Sequence, residues 1–376
     1  MIYFDNSASS YPKPPMVINA VCNFIKTNGS NPGRSSHRPA LLAAQNIFET
    51  REKIAKLVGV SNSENIAFVP NATFGLNMII QGVVNTGDEV VITDLEHNSV
   101  IRPVHNLWLE KGIKYKVAEV DLYDDKKTVE NIVNCITNKT KLVVCTQCSN
   151  TCAKVLPIKD IAMALPVNVK FLVDGAQGAG SVFIDVEQYG VDYYCAPSHK
   201  GLMGIQGSGF IAINSSLPKP IVFGGTGSDS NNLLMPDYMP DVFECGTVAT
   251  PAIISMKKGV EFIELIGVDK IYSHKIKLTK YLHNKLKDME NIITYVDCNK
   301  GDFCGVYCFN VKDKPCFEVS EYLSKNDICV RSGIHCAPFY HKKMGTQNSG
   351  AVRISFSWYN TEQEIDKFIK ILNKIL

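Results

Sequence analysis

An excess of charge of either sign is missing. Thirty-nine Lys and Arg stand against 37 Asp and Glu in 376 residues, which leaves a formal +2. Without a net field there is no bulk attraction to nucleic acid or to an anionic membrane surface, so any ligand must be held by a local set of groups. Missing too is any run of 18 apolar residues, and the opening Met-Ile-Tyr-Phe-Asp has neither the basic stretch nor the apolar core of a secretory leader. These absences predict a soluble, cytoplasmic protein with no nucleic-acid and no membrane partner. No internal repeat or low-complexity tract is present. With 45% apolar and 20% charged residues the chain buries enough surface to offset its ordering entropy, which excludes disorder. Its length exceeds what one core usually organises, so a large domain and a smaller one are expected.

Cysteine is the residue present in unusual number. There are thirteen, at 22, 135, 145, 148, 152, 195, 245, 298, 304, 308, 316, 329 and 336. An odd count without a leader argues against a disulfide framework. Several lie in apolar runs, among them Cys145 in Leu142-Val143-Val144-Cys145 and Cys195 after Tyr193-Tyr194, and read as small buried hydrophobes.

From about residue 60 to 215 short β-rich runs alternate with helix-length segments, the pattern of a doubly wound, mostly parallel α/β sheet. The predicted strands are Ile66–Val69, Glu89–Thr93, Tyr115–Val120, Lys141–Thr146, Lys170–Val173, Asp192–Cys195 and Gly209–Ile213. After Pro251 the pattern predicts a long helix to about 287, strands near Val306–Val311 and Ala351–Phe356, and a closing helix. Thr361-x-x-Glu364 reads as the capping box of that helix, with Ile365, Phe368, Ile369 and Leu372 on one face. A smaller C-terminal α+β domain follows, and the expected division is 15–255 for the large domain and 1–14 plus 256–376 for the small one. Pro12, Pro14 and Pro15 end an extended lead-in.

In an open α/β sheet ligands bind beyond the carboxyl ends of the strands. After Ile66–Val69 comes Asn71-Ala72-Thr73 opening an apolar helix, whose free N–H groups and Thr hydroxyl suit a phosphate. The other strands are followed by Glu96-His97-Asn98, Ser149-Asn150, Asp174-Gly175-Ala176-Gln177 and Ser198-His199-Lys200-Gly201. Taken singly, such an Asp reads as a turn residue, such a His as structural and such a Lys as solvated. Together on one sheet edge, a lysine, a strand-ending acid and a phosphate cradle match the needs of pyridoxal phosphate. The lysine forms a Schiff base with it, and the carboxylate pairs with the pyridinium nitrogen so that the ring accepts electrons.

These segments resemble the class V aminotransferases, and within them the cysteine desulfurase and selenocysteine lyase group with a short active-site loop. Phe243-Glu244-Cys245-Gly246-Thr247, Arg331-Ser332-Gly333-Ile334-His335-Cys336-Ala337 and Val352-Arg353-Ile354-Ser355-Phe356-Ser357-Trp358 carry the resemblance to the end of the chain. It implies the pyridoxal-phosphate transferase fold of type I and a homodimer. It also implies roles. Lys200 would hold the cofactor and move protons, Asp174 would pair with the ring nitrogen, Gln177 would bond the ring hydroxyl and His97 would stack on the ring. Asn150 would lie near ring and substrate. Thr73 and His199 would bind the phosphate with Thr247 of a second subunit, and Arg353 would take the substrate carboxylate through its planar fork. Cys336 would attack the sulfur of L-cysteine, keep it as a persulfide and pass it to an acceptor protein or small thiol. A thiol needs a cation or base to ionise, and His335 is a candidate, although its neighbour in an extended segment would point the other way. The bland reading of Cys336 is a buried structural thiol, but Gly333, His335 and Pro338 do not read as core.

The sequence departs from the family pattern at Pro197, where a hydroxyl-bearing phosphate ligand is common, with Ser198 one place later. It also departs at Phe74, where an acid is usual, and at Thr151-Cys152-Ala153. The alternatives are a selenocysteine lyase, a class V aminotransferase in which Cys336 is dispensable, and, from another class, a metal-binding or sulfur-carrier module built on Cys145, Cys148 and Cys152. Against the last, a structural metal site needs four ligands and no second close pair follows nearby, so no metal is expected. The glycines from Gly201 to Gly209 lead into a strand rather than a helix and read as a turn beside the cofactor, not a dinucleotide site. Gly224-Gly225-Thr226-Gly227 lacks the Lys-Ser/Thr of a P-loop and reads as a loop near the subunit interface.

Overall fold

The computed structural model describes residues 1–33, 35–228 and 230–376. A two-residue strand, β1 (Ile2–Tyr3), opens the chain. Seven strands follow that share one sheet: β2 (Ile66–Val69), β3 (Glu89–Thr93), β4 (Lys114–Ala118), β5 (Thr140–Thr146), β6 (Lys170–Asp174), β7 (Tyr193–Pro197) and β8 (Gly209–Ile213). Their order is β2-β8-β7-β6-β5-β3-β4, parallel except for β8, which runs antiparallel to both neighbours. The predicted strands therefore form, with β4 starting one residue earlier and its ladder ending at Ala118 rather than Val120. Both faces are covered. Val143 and Cys145 enter one apolar cluster while Leu142 and Val144 enter the other, which is why these strands read as continuous apolar runs.

Strand order reverses between β3 and β5, because β4 lies on the far side of β3. The connections from the two carboxyl ends leave in opposite directions at that point, where an open α/β sheet forms its ligand crevice.

The remaining strands are β9 (Ile292–Thr294), β10 (Val306–Val311), β11 (Ile328–Cys329), β12 (Arg331–Gly333) and β13 (Ala351–Ser355). Four of them form an antiparallel sheet ordered β12-β13-β10-β9, and β1 pairs in parallel with β11. The first residues thus lie against the last third of the chain, and Asp5 bridges to Ser355. The closing helix Glu362–Leu372 carries the expected reciprocal cap between Thr361 and Glu364. The long helix expected to 287 is two helices, Thr250–Ile266 and Val268–Leu286. Gly267, at φ 95°, breaks it in a conformation that a side chain rarely adopts.

The Thr250–Ile266 helix packs tightly on the turn that follows Lys200. A Cβ at Gly259 would lie 1.8 Å from the carbonyl oxygen of Leu202. Gly259→Ala is expected to cost about 1–3 kcal/mol through overpacking. A lowered thermal midpoint checks this, and a midpoint equal to wild type overturns it.

Candidate active site

The carboxyl ends of β2, β3, β5, β6 and β7 deliver polar groups to the crevice, and helix capping fixes the first two segments. Asn71 caps the Ala72–Val83 helix, its side chain accepting from Phe74 N at 2.9 Å. Thr73 lies in the first turn with its hydroxyl 2.7 Å from Ser99 Oγ. His97 caps the Asn98–Lys111 helix, its Nδ1 accepting from Ser99 N at 3.0 Å. An Nδ1 that accepts carries no proton, so the neutral ring is protonated at Nε2. Burial, followed by the charges of Lys200, Arg331, Arg353 and Arg102, lowers His97 to about 4, which keeps it neutral near pH 7.

Asp174 ends β6 and Lys200 lies just beyond β7, and register pairs Asp174 with Cys195 across the two strands. The carboxylate is 2% exposed and accepts from Ala176 N at 2.9 Å. Burial raises its pKa, against the Ala176 bond and the Lys200 charge. Burial also lowers Lys200 to about 8, with Asp174 opposing. A substantial share of neutral amine is therefore present near physiological pH, as a lysine that must react with a carbonyl requires. A cavity of about 150 Å³ is lined by Thr73, His97, Asn150, Asp174, Gln177, His199 and Lys200, so seven of the residues picked from the sequence meet in one space.

The chain ends close this space. Gln177 Nε2 donates to Ser7 O at 3.1 Å, and the His199 carbonyl accepts from Ser10 N at 2.9 Å and Lys13 Nζ at 2.9 Å. Asn150 Nδ2 donates to His335 O at 2.7 Å, while Arg353, 2% exposed, donates from Nη1 to Asn150 O at 3.2 Å and from Nη2 to Asp5 Oδ1 at 2.8 Å. Cys336 does not line the Lys200 cavity. It borders a second, more open one of about 430 Å³ that also reaches Thr73, His97 and Ser99. Its carbonyl accepts from Asn98 N at 2.7 Å, which ties the cysteine turn to the helix that His97 caps.

Residues 2–368 match the family model described as Aminotransferase class-V. The chain belongs to the class V aminotransferase family. Among its relatives, a probable cysteine desulfurase of Methanothermobacter thermautotrophicus is 31% identical, with the alignment covering 100% of this chain and 94% of the relative. One of Pyrococcus abyssi is 32% identical over the same shares. The apo structure of a cysteine desulfurase from Thermococcus onnurineus NA1 superposes with a TM-score of 0.89 at 28% identity, covering 100% of this chain and 94% of that one.

One expectation meets a different geometry. His335 and Cys336 are not extended: both have positive φ, 52° and 58°. The resulting turn buries His335, whose Nε2 lies 3.0 Å from Ala351 O, and burial lowers it to about 2. It is neutral and supplies no cation to the thiol. Ser198 does not replace the hydroxyl lost at Pro197. It is fully buried and absent from the cavity lining, and a Cβ on Gly204 would lie 2.1 Å from its Oγ. Thr247 is exposed in a separate cavity beside Arg51 and Glu244, away from the Lys200 cavity of its own chain. Cys145, Cys148 and Cys152 are all packed in the core, and among the described residues no three or more His, Cys, Asp or Glu are grouped to hold a metal ion.

Sequence reasoning quoted Glu96 but gave it no role. It is wholly buried, and its Oε1 accepts from Thr93 Oγ1 at 2.7 Å and Thr146 N at 2.8 Å, so one carboxyl joins the carboxyl ends of β3 and β5. The signal available was an acid between a strand end and a functional histidine. Burial lifts it to about 8 from 4.5. The folded chain then keeps a proton that the unfolded chain loses near 4.5, so stability falls as pH rises from about 4.5 to about 8. Glu96→Gln, which has the shape of the neutral acid, is expected to flatten that slope and to exceed wild type in stability at pH 8. Denaturation midpoints across this range check it, and parallel curves for the two proteins overturn it.

Proposed function

We propose that this chain is a pyridoxal-phosphate-dependent cysteine desulfurase, which converts L-cysteine to L-alanine and leaves the sulfur as a persulfide on Cys336. The observation that carries the reading is the Lys200 cavity. A half-buried lysine with lowered pKa shares it with a buried carboxylate and a helix N-terminus, and the half-buried Cys336 borders the next cavity across His97. The names of the full-length relatives favour this over selenocysteine cleavage, amino transfer or a metal-binding module.

The residues present fit the cofactor. Asp174 has one protein donor and so retains capacity for a ring N–H, and the His199 Nδ1 is buried without a hydrogen-bond partner. Lys200 would hold the group covalently, Asp174 its ring nitrogen, Gln177 its hydroxyl, Thr73, His199 and the helix N-terminus its phosphate, and the neutral His97 its ring face. When bound, pyridoxal phosphate supplies an electron sink for bonds at the substrate's carbon.

The chain's own groups do the rest. Arg353 takes the substrate carboxylate, with Asn150 beside it. Lys200, as free amine, removes and returns the proton at the substrate carbon. The Cys336 thiolate attacks the substrate's sulfur: the S–S bond forms as C–S breaks, the bonding pair stays with the carbon skeleton, and a proton added there completes alanine. The persulfide is then open to an acceptor protein or small thiol from the outer cavity. Residues 15–255 serve in this reading as the cofactor-bearing unit, and 1–14 with 256–376 as the unit bringing Arg353 and Cys336. Thr247, exposed and remote from its own Lys200, reaches the phosphate of a second copy in a homodimer. Among the described residues no helix is long and apolar enough to cross a membrane.

The purified protein is expected to be yellow, with borohydride fixing the cofactor on Lys200. A colourless protein that takes up no added pyridoxal phosphate overturns the reading. Cys336→Ala is expected to keep the visible band and to lose sulfide release from L-cysteine under reductant by at least about 100-fold, as removal of a covalent nucleophile does. Undiminished release in that variant overturns the role of Cys336, and running selenocysteine in parallel separates sulfur from selenium chemistry.

A further inference from the structure

Arg353 is a desolvated cation with one charged partner. Its side chain is 2% exposed, its Nη2 donates to Asp5 Oδ1 at 2.8 Å, its Nη1 donates to the neutral carbonyl of Asn150, and its Nε is buried without a hydrogen-bond partner. Asp5 is not a loosely placed surface acid. Its backbone bridges to Ser355, two residues from Arg353, and this stretch is fixed by Ser355 N donating to Phe4 O at 2.6 Å, Ser7 N to Ser355 Oγ at 2.8 Å and Asn6 Nδ2 to Ser355 O at 3.0 Å. A buried guanidinium left unpaired is strongly destabilising, so an acid built into this place compensates the charge of Arg353 and orients it whether or not a ligand is bound.

The same pairing acts on the ligand. On the reading that Arg353 holds the substrate carboxylate, two carboxylates must share one guanidinium in a region shielded from water, and they repel each other there. We infer that Asp5 is a positioning residue that sets the site's affinity for amino-acid carboxylates, orienting Arg353 while weakening its hold on them. The product carries the same carboxylate as the substrate. An unopposed Arg353 would bind both more tightly without aiding the chemical step, so tempering it favours release of alanine.

Asp5→Asn keeps an oxygen acceptor for Nη2 and removes the charge, which separates orientation from repulsion. The probes are L-alanine and L-alaninamide, which lacks the carboxylate, added to the cofactor-loaded protein. The readouts are the dissociation constant from the visible band and the rise in thermal midpoint. The variant without ligand is expected to melt below wild type. It is expected to bind L-alanine roughly tenfold more tightly, as loss of a like charge at this range allows, and to gain more stability from it. Its affinity for L-alaninamide is expected to match wild type. Equal or weaker binding of L-alanine by Asp5→Asn overturns the inference, because an acid that only orients Arg353 or only supports the fold gives that result. If wild type itself does not prefer L-alanine to L-alaninamide, the carboxylate role of Arg353 fails and the inference with it. Should Asp5→Asn not fold, Asp5→Ser, a smaller neutral acceptor, is held to the same outcomes.

Discussion

The parallel pairing of β6 with β7 is the constraint on which the rest of this molecule depends. Parallel neighbours bring their carboxyl ends to the same edge, so an acid closing one strand and a lysine beyond the next share a space despite the 26 positions between them. Parallel sheets are covered on both faces, and that cover desolvates the pair. Desolvation works on the two groups in opposite senses, lifting Asp174 and lowering Lys200, while their mutual attraction opposes each shift. A lysine in water would be fully protonated near pH 7 and unreactive toward a carbonyl. Here the fold itself makes it partly neutral.

A sheet edge alone leaves such a pair open on one side. The first thirteen residues and the last third of the chain complete the enclosure, through the backbone of Ser7, Ser10 and His335 and the side chains of Lys13 and Arg353. Ser7 O takes Gln177, His199 O takes Ser10 and Lys13, and Asn150 bonds to both His335 O and Arg353. Main-chain partners do not depend on side-chain rotamers, so the groups are held with little conformational freedom to lose when a ligand binds. Asn150 takes part in two of these contacts and links the β5 end to the turn that carries Cys336.

Much of this was legible in the sequence for a definite reason. The strands that are buried on both faces carry uninterrupted apolar runs whose bounds the chain itself marks, and the residues after them stand out because a polar group there has no packing role. What could not be read depends on partners distant in sequence or on backbone conformation. Nothing about Asp5 announces a neighbour 348 positions away. His335 and Cys336 adopt positive φ without the glycine that usually signals it, so the segment read as extended. Glu96 stood in the sequence only as the neighbour of His97 in Glu96-His97-Asn98, whereas its carboxyl joins Thr93 to Thr146. The helix break at Gly267 was foreseeable in principle, since glycine closes helices.

The same balance of burial and exposure decides among thirteen thiols. Cys145, Cys148, Cys152, Cys195, Cys298, Cys304, Cys308 and Cys316 are buried, and burial raises the pKa of every one of them, so they persist as protonated, unreactive thiols. Burial also raises the partly exposed Cys135 and Cys245. Of the remaining three, Cys22 is exposed on the first helix and Cys329 pairs in the short sheet with Tyr3. Cys336 borders a cavity that reaches His97. The core that stabilises the fold thus also withholds the thiolates of the eight cysteines packed in it.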